Sequence, residues 1–270
     1  MTAPRAAALL AGLALAVAPA AAHAHRMWMT PSSTVLSGQD AWVTVDAAVS
    51  NTLFFPDHVP LRLNGVQVTG PDGAPAQLEN AATGKFRSTF DVHLTKPGTY
   101  KIATVNDGVM ASWKEGAETK RWRGSAADFA TAVPKGASEL KVTANQRRLE
   151  TFVTLGAPSN GALKTTGKGL ELEPVSHPND LVAGEAAKFR LVLDGKPAAG
   201  VEVEVVPGAA RYRKAPGEIK VKTGADGVFQ VTWPEAGMYW LEAEARGGPG
   251  EIPGSERNAA YVATFEVLPD

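Results

Sequence analysis

Apolar and polar residues alternate along most of this chain in short runs, each closed by glycine, proline or aspartate. A helix needs an apolar residue every third or fourth position, so a chain patterned with period two can build its core only from sheets. In the first half, residues 41–45, 61–68, 85–94, 99–105 and 149–155 read as strands. Turn clusters such as Ser37-Gly38-Gln39-Asp40, Gly70-Pro71-Asp72-Gly73 and Lys96-Pro97-Gly98 separate them. In the second half the strands are 170–175, 187–193, 201–206, 218–222, 228–233, 238–245 and 260–267, a density typical of an immunoglobulin-like sandwich. Val201, Val203 and Val205 face inward there while Glu202 and Glu204 face water, and Tyr239, Leu241 and Ala243 oppose Glu242 and Glu244 in the same way. One segment breaks the pattern: Ser125-Ala126-Ala127-Asp128 is a helix start of capping-box type, and Pro134 ends the helix. Residues 156–169 hold Gly, Pro, Ser, Asn, Thr and Lys with little apolar content, as a flexible linker does. The expectation is an all-β protein of two immunoglobulin-like β-sandwich domains with one short helix, 25–155 and 170–270, joined by that linker.

Charge excludes several function classes. The 27 Lys and Arg nearly balance 28 Asp and Glu, a net charge of −1, so neither nucleic acid nor an anionic membrane is an expected partner. The first 24 residues have the layout of a secretory signal: Arg5, an uncharged run from Ala7 to Val17, then Pro19-Ala20-Ala21-Ala22-His23-Ala24. The apolar run is too short for an anchor, and no other stretch approaches membrane-spanning length. The mature chain is expected to be periplasmic and soluble, cut after Ala22 or after Ala24. It contains no cysteine, which removes disulfides, thiolate metal sites and a cysteine nucleophile.

Five histidines, at positions 23, 25, 58, 93 and 177, are then the strongest nitrogen ligands among the side chains. Cleavage after Ala22 places His25 third, where the amine, two backbone amides and the imidazole form a square-planar set suited to Cu(II) or Ni(II). Cleavage after Ala24 makes His25 the first residue, whose amine and ring chelate one ion while a second histidine completes a copper brace. Against both stands a terminus that frays in solvent. His58 lies in a loop stiffened by Pro56 and Pro60, with Asp57 beside it as a ligand or as a support for the imidazole. The plain alternative is a turn in which Phe54 and Phe55 plug the core and Asp57 caps a backbone amide. In the strand at 85–94, alternation puts Phe86, Ser88, Phe90, Val92 and Leu94 inward and Arg87, Thr89, Asp91 and His93 outward, so Asp91 and His93 can share a cation or merely face water. His177, before Pro178, reads as a loop or strand-end residue.

Between Trp113 and Gly124, Trp113, Lys114, Lys120, Arg121, Trp122 and Arg123 interleave aromatic and basic side chains. Trp113, Arg121, Trp122 and Arg123 can bind a sugar, a nucleobase or an anionic group, or can anchor the loop to its own sheet. No nucleophile elbow, zinc helix, phosphate loop or dinucleotide turn is present, which argues against an enzyme.

The order His25-Arg26-Met27-Trp28 after a signal, Asn51-Thr52-Leu53-Phe54-Phe55-Pro56-Asp57-His58, Gly98-Thr99-Tyr100, Val105-Asn106-Asp107-Gly108 and Lys120-Arg121-Trp122-Arg123-Gly124 resembles the exported proteins called domain of unknown function 4198 (DUF4198). The second half, with Thr223-Gly224-Ala225-Asp226-Gly227-Val228-Phe229 and Pro234-Glu235-Ala236-Gly237-Met238-Tyr239, also resembles transthyretin-like sandwiches. The first resemblance implies a periplasmic accessory of nickel or cobalt uptake that carries a divalent transition metal (Ni, Co or Cu) to a membrane transporter or outer-membrane receptor. Its candidate metal residues are His25, His23, His58, Asp57 and His93. The competing expectation is a glycan- or protein-binding module of adhesion type. A metal-dependent enzyme built on a histidine brace stands third.

Overall fold

The computed structural model describes residues 25–213 and 217–270. The expected signal segment, both expected cleavage positions and His23 lie outside them. Three sheets hold nearly all the regular structure. The front sheet is antiparallel and runs Arg26–Pro31, Ala41–Ser50, Ser88–Leu94, Glu79–Thr83, with Val59–Pro60 paired to the end of Ala41–Ser50. The back sheet joins Leu170–Pro174, Ala186–Leu193 and Lys196–Pro197, and Val228–Thr232 pairs with Ala186–Leu193.

Between them lies a ten-stranded central sheet that passes through both halves of the sequence. Its seam is the parallel pairing of Ser138–Leu155 with Glu256–Val267, in register from Thr143 opposite Glu256 to Thr151 opposite Thr264. Gly98–Glu115 extends the sheet on the first side of that seam, and Gly237–Pro249, Glu202–Pro207 and Ile219–Lys222 extend it on the other.

Because the central sheet is covered on both faces, it divides the core in two. Leu149, Val153, Trp240 and Val262 join Trp28, Val45, Phe90 and Val92 of the front sheet. Phe152, Leu241, Ala263 and Phe265 join Phe189, Leu191 and Phe229 of the back sheet. At about 25 cal/mol per Å² of apolar surface, these two contacts are the main stabilising term.

The expected all-β sandwich architecture holds, but the two halves are not independent sandwiches: they share one sheet. Residues 156–169 form no strand, yet they are no loose linker. Ala162 and Leu163 are buried, and Gly156 donates to the Leu36 carbonyl at 2.8 Å. The carboxylate of Glu171 accepts from the backbone of Thr166, Gly167 and Lys168 at 2.7–3.2 Å. Beneath this segment lies a buried charge network. Arg148 contacts Glu150 at 3.3 Å and Glu171 at 3.2 Å, Lys101 approaches Glu150 at 3.8 Å, and Tyr261 donates to Glu150 at 2.9 Å. Burial first, and the adjacent Glu150 carboxylate second, push the Tyr261 phenol well above its ordinary range, so it remains a donor.

The expected helix is present at Ala126–Ala132, with the Ser125 side chain accepting from the Asp128 amide. No helix among the described residues is long and apolar enough to cross a membrane.

Candidate functional site

The site is set by the register around one strand end. Arg26 pairs with Ser50, and Val59 pairs with Val49 on the opposite side of the same strand. His25 and His58 therefore leave the two flanking strands at the same level, 33 residues apart in sequence but adjacent in space. Their rings stack with centroids 3.9 Å apart and planes within 1°. Both side chains are exposed.

The strand that follows His25 is fastened from its first residue. Arg26 reaches Glu204 at 2.9 Å and Glu218 at 3.4 Å, and its guanidinium lies 5.1 Å from the centre of the Trp240 ring. Trp240 Nε1 donates to the Met27 carbonyl at 2.8 Å. Trp28 is buried and donates through Nε1 to Ser50 Oγ at 2.7 Å, and Ser50 Oγ donates onward to the Thr52 carbonyl at 2.7 Å. The chain is thus tied down from Arg26 onward.

His58 is held by a strained loop. Phe54 has φ of +59°, a left-handed conformation that costs a bulky residue on the order of 1–3 kcal/mol. It is kept there by packing edge-on to Trp28, at 5.8 Å and 80°, and by lying against Gly208, where an added Cβ would meet Phe54 at 3.2 Å and the Met238 carbonyl at 2.9 Å. Arg211 covers the neighbouring Phe55 ring at 4.2 Å. The site therefore lies where the two halves of the chain meet, and the second half supplies Glu204, Gly208, Arg211, Glu218 and Trp240. Sequence reasoning missed all five, because nothing local to them signals a histidine pair.

The Asp57 carboxylate is engaged by its own loop. Its oxygens accept from the Asn51 amide at 2.7 Å and the Thr52 amide at 3.0 Å, which fixes the loop bearing His58. Partial desolvation raises its pKa, but those hydrogen bonds outweigh that and hold the carboxyl below the usual range.

His93 lies elsewhere. It stacks on Trp42 at 4.2 Å and 7° and pairs with Asp40. It shares the outward face with Asp91 as alternation required, and Asp91 accepts from Thr44 at 2.6 Å and Asn80 at 2.8 Å. Phe86, expected inward, is exposed because the strand begins only at Ser88. Among the described residues, no three His, Asp or Glu side chains converge on one point.

His177 lies in the loop after Leu170–Pro174, as expected, and ties that loop down. Its Nδ1 accepts from the Asn179 amide at 3.1 Å, so the proton sits on Nε2, which faces Thr99 Oγ1 at 3.0 Å and the Ser159 carbonyl at 3.3 Å. Burial pushes its pKa down.

The tryptophan and arginine stretch forms the hairpin arm Glu118–Gly124 against Gly98–Glu115. Lys120 opposes Trp113 and Trp122 opposes Ala111, so both tryptophans share one face, where Trp122 packs edge-on to Phe129 at 5.9 Å. Arg121 and Arg123 point to the other face and are exposed. Alternation thus splits the expected ligand-binding set across two sides of a ribbon, and it forms no common stacking surface.

Two adjacent imidazoles without a free carboxylate are a donor set for borderline transition ions such as Cu(II) and Ni(II), and a poor one for Mg²⁺ or Ca²⁺. The model of the family described as "Domain of unknown function (DUF4198)" matches residues 22–247, most of the chain and including this pair. The chain belongs to the DUF4198 family. No curated protein matches it. Among solved structures, this DUF4198 chain is similar to the D0-D1 domain of intimin, at 14% identity over 89% of this chain and 97% of that one, with a TM-score of 0.22. A DUF4785 family protein from Legionella pneumophila matches at 9% identity over 79% and 50%, with a TM-score of 0.23. A two-domain fibronectin type III segment of chicken tenascin matches at 11% over 87% and 97%, with a TM-score of 0.20. At such scores none of them bears on function.

Proposed function

We infer that this protein is an exported transition-metal carrier in which His25 and His58 take the ion, an accessory to uptake of nickel, cobalt or copper. The observation supporting this is the stacked pair itself: two exposed imidazoles held together by a strained loop and by a strand fastened from Arg26. Exposed stacked rings can rotate outward and aim two nitrogen lone pairs at one ion, at little conformational cost. Reversible exposed binding suits a carrier that must release its cargo to a transporter. Titration of the mature chain with Cu(II), Ni(II) and Co(II) tests the reading. His25→Ala and His58→Ala should each abolish tight binding, while His93→Ala should leave it unchanged. Binding unaffected by the first two substitutions would remove the reading.

A second reading, a glycan-binding module, rests on Trp42. This side chain is 45% exposed on the front sheet, with His93 stacked on it and the Asp91, Thr44 and Asn80 hydrogen-bond network nearby. Quenching of tryptophan fluorescence by oligosaccharides, lost in Trp42→Ala, would support it over the carrier.

A further inference from the structure

We propose that the third ligand of the His25 and His58 site is the α-amine of His25 itself, freed when the leader is cut after Ala24, so that only the processed chain holds the ion tightly and Cu(II) is its cargo. This rests on the reading of His25 and His58 as ligands. The described residues offer two imidazoles there and no third convergent His, Asp or Glu. Asp57, the nearest carboxylate in sequence, spends both oxygens on backbone amides. Two neutral monodentate donors grip an ion weakly, so a third must come from the backbone.

The His25 nitrogen is the candidate, and its chemistry depends on processing. Within a peptide it is an amide with no available lone pair. As a free terminus it is an amine whose lone pair can bind a metal in place of a proton. Amine and Nδ1 of one residue then close a six-membered chelate ring, and His58 adds the third nitrogen from across the strand end. The fold prepares this arrangement. Arg26, tied to Glu204 and Glu218, and Met27, tied to Trp240, hold the chain one residue downstream of the amine, so its position relative to His58 is set before metal arrives. Three nitrogens without an oxygen or sulfur ligand favour Cu(II) by both affinity order and tetragonal geometry. Cleavage after Ala22 would instead build a site from the His23 amine, the next two amides and the His25 imidazole, with no part for His58.

The test compares chains beginning at His25 with the α-amine free, the same chain acetylated at that amine, and the free-amine chain carrying His58→Ala. Cu(II) affinity is measured by competition with a chromophoric chelator, and the ligand set by electron paramagnetic resonance. Mass spectrometry of the exported chain gives its first residue. The expected results are His25 as the first residue, three coordinated nitrogens, and affinity lower by about 100-fold on acetylation, the cost of opening a chelate. His58→Ala should lower it by at least about tenfold. Equal affinity in the free and acetylated chains, both weakened by His58→Ala, overturns the amine ligand but leaves the imidazole pair standing. A free-amine chain indifferent to His58→Ala, or an exported chain beginning at His23, also overturns the proposal. No Cu(II), Ni(II) or Co(II) binding by any chain removes the carrier reading with it.

Discussion

Replacing Arg148 by methionine tests whether the charge network beneath residues 156–169 holds the fold together. The Arg148 side chain is 8% exposed, and its partners Glu150 and Glu171 are 4% and 3% exposed. Methionine fills most of the volume, so the perturbation is electrostatic: two buried carboxylates lose their shared cation. Lys101, 3.8 Å from Glu150, and the Tyr261 hydroxyl partly compensate Glu150, whereas Glu171 keeps only hydrogen bonds from Thr166 and the amides that follow it. Removing one partner of a buried pair typically costs about 3–5 kcal/mol, because the remaining charge stays desolvated. For a chain of this size that lowers the melting temperature by roughly 6–20 °C. The assay is urea unfolding followed by tryptophan fluorescence, with Arg148→Met/Glu171→Gln as the control. Neutralising Glu171 removes the stranded charge, so the double variant should be more stable than the sum of the two single losses by at least about 1 kcal/mol. A single-variant loss below about 1 kcal/mol, or strict additivity, would show that water reaches the network and that the reasoning from burial is wrong.

Gly208→Ala should displace Phe54 and the loop behind it, since the new Cβ meets both Phe54 and the Met238 carbonyl. A stability loss of about 1–3 kcal/mol is expected, together with weaker Cu(II) binding, although the residue touches neither histidine. Trp28→Phe keeps the apolar bulk but leaves Ser50 without its donor, for a loss of about 1–3 kcal/mol by urea unfolding. For His177 the sign follows from burial, which holds the folded pKa below the 6.5 of the free side chain. The unfolded chain binds the proton more readily, so the stabilising contribution is complete above pH 6.5 and declines as the pH falls from there to the lowered folded value. The urea midpoint should drop across that window, and His177→Gln should flatten the drop; a slope unchanged by the substitution would assign it to another group.

Much of the sheet structure was legible because a strand covered on one side writes its burial into the sequence. Ser88, Phe90, Val92 and Leu94 are buried and Thr89, Asp91 and His93 are not, as the alternation at 85–94 implied. The helix was legible from Ser125 and Pro134 for equally local reasons. Where a strand is covered on both faces the code disappears. Leu149 to Leu155 are all buried, Glu150 and Thr151 included, so no alternation there marks a sheet shared by both halves. The expectation of two domains rests on strand density and on the composition of residues 156–169, neither of which reports how strands pair between the halves. Residues 156–169 misled for a related reason: their ties run through backbone amides to Glu171, and any polar residue supplies an amide. At the site, His25 and His58 were legible as donors by residue type alone. Their meeting depends on which strand ends pair around Ser50, and the assignment of Asp57 to the Asn51 and Thr52 amides depends on loop closure; neither has a local signature.

The parallel seam between Ser138–Leu155 and Glu256–Val267 has a practical consequence for dissection. Severing the polypeptide near residue 160 would not release two self-sufficient bodies, because each piece would carry an open row of unpaired amides and carbonyls where the other used to lie. Such pieces should precipitate or stick to other strands when produced singly, and should reassemble into one particle when mixed from denaturant. The final hairpin behaves as a zip fastener: the earlier strands must wait for the last one before the molecule can close.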